Sequence, residues 1–396
     1  TKPAAATLLT SLLPSSHLAM SKTAVLADEI TLVSEALKGA GYTTGGIVSN
    51  INLAPSFGFQ QGYDEYYYLA PDYLAGASES SSKLILYQIA RSVWFKLKRG
   101  YRVGDFYQDS TTVNAVAFDW LERHKDARFF LFLHYMDPHD PYFERGKDGS
   151  YDGTAVARVS NQHPEPELAA EMQRLYAGEI RSLDANIARL LDRLRALDLY
   201  DDTLIVLTAD HGEEFHEHGG FWHGLTLYDE QIRVPLIVKW PRGGEPDHAS
   251  PDAEFARLID VAPTLIAPSG AEIPEAMRGL DLARSGSERS ETERMAFVEE
   301  DHEGNVIRAL RTETWKLIES NEGNPRGLPP HELFDVERDP GETRNLYESY
   351  GDVAASLRAH SDAQQQLARA DAVEGGGTAE LSDEQRAALQ ALGYLE

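Results

Sequence analysis

The sequence predicts an α/β fold: a mostly parallel central sheet covered by helices on both faces, followed by a smaller C-terminal α+β domain. Three observations predict it. Residues 129–133 (FFLFL), 203–208 (TLIVLT) and 234–240 (VPLIVKW) are short continuous apolar runs, the pattern of strands buried on both faces. Between the first two, Leu183, Ile187, Leu190, Leu191 and Leu194 recur at spacings of three and four within residues 166–197, the stripe of a long amphipathic helix. Helices alternating with buried strands imply a parallel sheet with both faces covered. Beyond about residue 285 the texture changes. There a polar stretch, SGSERSETER, precedes short alternating segments at 296–299, 306–311 and 315–318, the pattern of an antiparallel sheet.

The elements follow in order. Pro3 and the Ala/Leu run at 4–13 read as a helix start, because Pro suits a first turn. Residues 30–38 read as a second helix, closed by Gly39 and Gly41. Residues 42–50 (YTTGGIVSN) read as a strand ending in a polar loop, and 57–68 as a packed aromatic loop. Residues 83–103 hold Lys83, Arg91, Lys96, Lys98, Arg99 and Arg102. This basic stretch reads as a solvated helix face, with contact to an anionic substrate or membrane surface as the alternative. Residues 352–392 read as a helix pair around a flexible linker at 374–378. The expected domains are 1–285, catalytic; 286–350, the small antiparallel subdomain; and 351–396, a helical tail.

Composition narrows the function. The 396 residues are 42% hydrophobic and 26% charged, which excludes disorder as the state of the whole chain. No apolar run reaches the ~18–20 residues of a membrane helix. The net charge of −27 opposes nucleic-acid binding and leaves carboxylates available for cations. Without cysteine there is no disulfide, zinc ribbon, iron–sulfur cluster or thiol nucleophile. Thr1-Lys2-Pro3 reads as the middle of a longer chain. The sequence sets no oligomeric state.

Ligands of open α/β sheets bind beyond the carboxyl ends of strands. Two strands here end in polar clusters: His134, Asp137, His139 and Asp140 after the first, and Asp210, His211, Glu213, Glu214, His216, His218 and His223 after the second. Six of the 13 histidines lie in these clusters, which is not random scatter. Adjacent Asp210 and His211 can both reach one divalent cation of hard-to-intermediate character. The alternative is a helix cap beside a surface histidine. Thr1 heads the first helix, where the dipole and free N–H groups favour an anion, a placement suited to a nucleophile or simply to a cap.

Together these pieces resemble the sulfatase family of the alkaline phosphatase superfamily. Thr1-x-Pro3-x-x-Ala6-x-Leu8-Leu9-Thr10 is similar to the signature that begins with Cys, Ser or Thr and continues x-Pro-Ser-Arg/His-Ala-x-Leu-Leu-Thr-Gly. The resemblance continues through Leu37-Lys-x-Ala-Gly-Tyr-x-Thr44 with Ser49-Asn50, and His134-Tyr-Met-Asp-Pro-His139-x-Pro-Tyr142. It then covers Thr208-Ala-Asp-His-Gly-Glu213, His223-Gly224, Arg233-Val-Pro-Leu-Ile-Val238, Asp260-x-Ala-Pro-Thr-Leu265 and Asp339-Pro-x-Glu-x-x-Asn-Leu346.

The resemblance implies an alkaline phosphatase/sulfatase-like fold and a small anionic ester as substrate. Asp210, His211 and Thr1 would be metal ligands, and Thr1 the nucleophile. Asn50 and His134 would contact substrate, as would His139 and His223, one of which protonates the leaving oxygen. It also implies a periplasmic or extracellular setting. One divalent metal is expected, because Pro141 stands where a second-metal histidine would follow Asp137. Ca²⁺ is the first choice, with Mn²⁺, Mg²⁺ or Zn²⁺ as alternatives. Three departures stand out: the acidic strand upstream of the nucleophile is missing, Ala4-Ala5 replace Ser-Arg/His, and Ser11 replaces Gly. A metal held by Asp210, His211 and Thr1 alone is under-ligated, so the 396 residues by themselves are expected to turn over little.

The nucleophile bears on the substrate. Sulfatases use formylglycine, made from Cys or Ser, whose second hydroxyl expels sulfate. A threonine ester lacks that exit and must be cleaved by water or another acceptor, as in phosphatases and phosphodiesterases. Thr1 therefore points to phosphate or phosphonate esters, with sulfate esters second. The alternatives are an inactive sulfatase-fold binding protein, motivated by Ala4-Ala5 and the missing upstream acids, and a phosphoethanolamine-type transferase with an upstream membrane anchor.

Overall fold

The computed structural model describes residues 1–72, 103–145, 151–156, 158, 161–245, 255–283, 294–302, 304–382, 385–386 and 389. The basic residues between 83 and 102, the polar stretch at 285–293 and most of the expected last helix lie outside them. The chain divides into two units: one of Thr1–Gly41, Asp201–Glu217 and Trp222–Thr378, the other of Tyr42–Tyr200, His218–Phe221 and Ala379–Glu396.

The first unit opens with helices α1 (Lys2–Thr10), α2 (Pro14–His17) and α3 (Val33–Gly39). α1 is shorter than the apolar run suggests. Ser11 takes the left-handed conformation (φ 56°, ψ 29°) and its N–H caps the Thr7 carbonyl, so the helix stops there. α3 begins at Val33 rather than residue 30 because the Glu35 carboxylate accepts from the Leu32 N–H at 2.8 Å, fixing the first turn.

The second unit holds a parallel sheet in the order β2–β1–β3, built from β1 (Thr43–Val48), β2 (Glu65–Tyr68) and β3 (Phe129–His134). Residues 65–68 (EYYY) are thus a strand, not part of a loop. Three consecutive tyrosines favour a pleated surface, and β1 offers them an edge. Helix α4 (Ser110–His124) lays Val113 and Ala117 on Ile47 of β1. A short antiparallel pair, β4 (Tyr142–Arg145) with β5 (Tyr151–Val156), precedes the 28-residue helix α5 (Ala169–Ala196), matching the helical stripe read from the sequence.

The first unit resumes with β6 (Ile205–Thr208), the short helix α6 (Asp229–Ile232) and β7 (Leu236–Lys239). β6 and β7 pair antiparallel, with Leu207 opposite Ile237. The expectation of burial on both faces fails here: among the described residues Leu207 is 36% and Ile237 58% exposed. Helix α7 (Val261–Ile266) follows, then an antiparallel sheet of β8 (Ala296–His302), β9 (Asn305–Arg311), β10 (Trp315–Ser320) and β11 (His331–Asp335) in sequence order. Its faces alternate with period two. Ile307, Ala309, Ile318 and Phe334 pack on Leu227 and Tyr228. Leu310, Leu317 and Leu333 pack on Ala354 and Leu357 of helix α8 (Gly351–Ala370).

The segment at 374–378 is not the free linker its glycines suggest. The Val25 N–H donates to the Gly377 carbonyl at 3.2 Å, and Ala24 bridges Thr378. A Cβ on Gly376 would stand 1.9 Å from the Val25 carbonyl oxygen, so glycine serves close backbone approach here.

Candidate functional site

Thr1 stands at the N-cap of α1, and its carbonyl accepts from the Ala5 N–H at 2.9 Å. Its side chain makes no cap hydrogen bond. Instead Oγ1 lies 3.1 Å from His211 Nε2, across 210 residues of sequence. β6 ends at Thr208, and Asp210 and His211 follow at once, so the end of an extended strand carries both side chains. Asp210 Oδ2 is 3.7 Å from His211 Nε2.

The tautomer of His211 follows from its partners. Nδ1 lies 2.8 Å from the Gly212 carbonyl oxygen, which can only accept. Nδ1 therefore carries a proton, and in the neutral ring Nε2 is the lone-pair atom, the one nearest Thr1 and Asp210. His223 is built the same way: Nδ1 lies 3.1 and 3.3 Å from the two Glu213 carboxylate oxygens, and both side chains are buried. Its ring stacks on that of His211.

The turn carrying His211 is narrow. The Gly212 and Glu213 N–H groups donate to the carbonyls of Gln231 and Glu230 at 2.8 and 3.0 Å. A Cβ on Gly212 would stand 2.0 Å from the Glu230 oxygen, so only glycine fits. At the other end, Lys2 is buried and donates to the carbonyls of Ser21, Lys22 and Ala24 at 3.3, 2.6 and 3.3 Å. Burial pulls its ammonium down to about 7. Ser11 Oγ donates to the Ile259 carbonyl at 2.7 Å and accepts from the Gly279 N–H at 2.8 Å, anchoring the far end of α1.

One carboxylate oxygen, one imidazole nitrogen and one hydroxyl oxygen thus face one another, a donor set that suits a divalent cation of hard-to-intermediate character. It is a partial set: among the described residues no group of three or more His, Cys, Asp or Glu side chains is placed to hold a metal ion.

The remaining sequence-predicted residues belong to the other unit, at the carboxyl ends of its parallel strands. His134 closes β3 opposite Val48, the last residue of β1, and Asn50 follows two residues later. Asn50 Oδ1 caps the next turn by accepting from the Asn52 N–H at 2.8 Å, while its buried Nδ2 meets no hydrogen-bond partner among the described residues. His139 Nδ1 lies 2.7 Å from the Asp140 carbonyl oxygen and so carries a proton. Asp140 is fully buried, which pushes its carboxyl above the usual range. Its neighbour Asp137 accepts from the Ser110 N–H at 2.8 Å, tying the loop to the head of α4.

Sequence reasoning gave Glu213 no role of its own, although its place in the Asp-His-Gly-Glu run was a signal. Gln231 was missed outright. An amide in a short helix carries no pattern of its own.

Residues 1–271 match the family model described as Sulfatase, and residues 216–367 the one described as N-sulphoglucosamine sulphohydrolase, C-terminal. A choline-sulfatase of Rhizobium meliloti is 28% identical over 248 residues, covering 55% of this chain and 46% of the relative, so the chain matches less than half of that protein's length. Among solved structures, a phosphonate monoester hydrolase of Agrobacterium radiobacter superposes with a TM-score of 0.69 at 19% identity, over 93% of this chain and 86% of the other. A protein solved in complex with its substrate D-glucosamine-2-N,6-O-disulfate superposes with a TM-score of 0.66 at 18% identity, over 93% and 88%. Both structures share the α/β fold with its C-terminal antiparallel sheet. Among the described residues no helix is long and apolar enough to cross a membrane.

Proposed function

The chain belongs to the sulfatase family, and on that premise we propose that it hydrolyses small anionic esters of phosphoric, phosphonic or sulfuric acid, with Thr1 as the attacking group and phosphorus esters cleaved faster. The observation that carries the reading is the 3.1 Å approach of Thr1 Oγ1 to the lone-pair nitrogen of His211. A hydroxyl at a helix N-terminus that turned toward its own helix would be a cap. This one turns toward the imidazole of His211.

Asp210, His211 and Thr1 Oγ1 would hold the divalent cation, Ca²⁺ first and Mn²⁺, Mg²⁺ or Zn²⁺ after it. When bound, the cation lowers the hydroxyl's pKa and draws charge from the transferred group's oxygens. Thr1 Oγ1 attacks phosphorus or sulfur, the bond to the leaving oxygen breaks, and the hydroxyl proton ends on the released alcohol. Water then cleaves the threonine ester, returning the hydroxyl and releasing the phosphate, phosphonate or sulfate anion. His223, with Nδ1 committed to Glu213, keeps Nε2 for the transferred group. Asn50 and His134 as substrate contacts, and His139 as proton donor to the leaving oxygen, hold their roles from the motif alone.

Relatives named for sulfate and for phosphonate chemistry support the ester class. Initial rates on matched p-nitrophenyl phosphate, phenylphosphonate, phosphodiester and sulfate test the order within it. Multiple turnover on the sulfate, faster than on every phosphorus ester, would overturn the preference. No turnover on any ester with divalent cations added, in a chain that also carries the upstream acidic strand, would favour a binding protein. Substitution of His139 by Ala should slow turnover by ~10²-fold or more.

A further inference from the structure

Gln231 occupies a crossing point that the reaction as described does not use. Its backbone carbonyl accepts from the Gly212 N–H beside His211 at 2.8 Å. Its side-chain Oε1 accepts from the Gly224 N–H beside His223 at 2.9 Å. Its Nε2 donates to Glu214 Oε2 at 3.1 Å and to Thr226 Oγ1 at 2.5 Å. The amide has one possible orientation, since a backbone N–H demands the oxygen and a carboxylate demands the nitrogen. Glu214 in turn is held by Arg326, whose Nη2 lies 2.7 Å from Oε1. Gln231 and Glu214 are both buried, and Arg326 sits in the turn between β10 and β11, where its own N–H donates to Asn324 Oδ1 at 2.9 Å.

One residue therefore grips the strand-end turn that bears His211 with its main chain and the loop that bears His223 with its side chain. We propose that Gln231 is a positioning residue that sets the spacing of the two stacked imidazoles, and that Arg326, through Glu214, fixes its rotamer from the antiparallel sheet. The inference rests on the reading that Thr1, His211 and His223 form the reactive centre. It gives the C-terminal sheet a part in the chemistry without any contact to substrate. Buried hydrogen-bond networks of this kind act as units, so an error at one member moves the others.

The chemistry suggests a specific pair of variants. Gln231→Glu places a second carboxylate against Glu214 in a buried pocket and should push the His223 loop away. The swap Glu214→Gln with Gln231→Glu restores one donor and one acceptor at that contact and leaves the net charge unchanged. We expect Gln231→Glu to lower kcat by ~10–10²-fold with KM nearly unchanged, the usual effect of a sub-ångström misplacement. The swap should recover most of it. The imidazole ¹⁵N resonances of His211 and His223 should shift in the single variant and return in the swap. This readout does not depend on turnover, so it separates failure of the positioning idea from failure of the proposed activity. Wild-type kinetics and unchanged imidazole signals in Gln231→Glu would overturn the proposal. So would a swap that folds like the wild type yet leaves both readouts at the single-variant values.

Discussion

The rings of His211 and His223 lie nearly face to face, their centroids 4.2 Å apart and their planes inclined by 26°. Each is anchored through Nδ1, one to a backbone carbonyl and one to a buried carboxylate, so neither Nε2 is needed for anchoring. Two residues twelve positions apart in sequence are thereby held as a single aromatic unit, and Thr1 meets the edge of one of its rings.

Replacement of Thr1 tests the nucleophile. Thr1→Ser keeps the hydroxyl 3.1 Å from His211 and should retain activity within about an order of magnitude. Thr1→Ala should lose at least ~10³-fold, leaving what positioning and electrostatics contribute. Initial rates on an activated phosphate ester measure both. Equal rates for the two variants would remove Thr1 from the reaction.

Cation binding should register as stability. A ligand that binds only the folded state at 100 times its Kd adds about 2.7 kcal/mol. Ca²⁺ or Mn²⁺ should therefore raise the melting temperature of the wild type. In Asp210→Asn the rise should shrink sharply, since one charged donor is gone. A rise of the same size in the variant would place the cation elsewhere.

Gly212→Ala should damage fold and site together. The added methyl would meet the Glu230 carbonyl oxygen, 2.0 Å from where the Cβ must stand. Chemical denaturation should show a loss of about 1–3 kcal/mol, the usual cost of overpacking. Turnover should fall further than stability, because the same movement displaces His211.

His17 gives a pH signature. Ala19 N–H donates to its Nδ1, and its protonated Nε2 donates to Thr7 Oγ1 at 3.2 Å, joining α2 to α1. Full burial pulls the imidazole down to about 3 from its ordinary 6.5. The unfolded chain thus takes up a proton below pH 6.5 that the folded chain refuses until about pH 3. Stability should be full above pH 6.5 and fall as the pH drops through that window. In His17→Gln this component is absent, so the stability difference between the two proteins should narrow on acidification. A difference constant from pH 7 to pH 4 would contradict the burial argument.

The parts of the site legible in the sequence were those with a local cause. An apolar strand that stops at Asp210-His211 announces a polar edge, and α5 announces itself by its leucine spacing. β2 was not legible, because three adjacent tyrosines have no alternation and became a strand only beside β1. The approach of Thr1 to His211 had no local cause either. Only the ordered resemblance joined residues 210 positions apart, and no periodicity could have done so. Gln231 was invisible for the same reason: its importance lies in four partners that folding brings to it. The 374–378 segment misled because glycine is read as freedom, whereas Gly376 serves contact with Val25.

Ser11 shows how a departure can become entrenched. Where the family pattern has glycine, a serine here holds φ at 56°, and the left-handed backbone costs it on the order of 1 kcal/mol. Its hydroxyl, however, serves both the Ile259 carbonyl and the Gly279 N–H. Restoring glycine would relax the backbone but strand the buried Ile259 carbonyl, a loss of about 1–3 kcal/mol, and leave the partly buried Gly279 N–H without its acceptor. The substitution that looks like a repair is therefore a step downhill in stability, and a route back to the family residue must first pass through compensating change around residues 259 and 279.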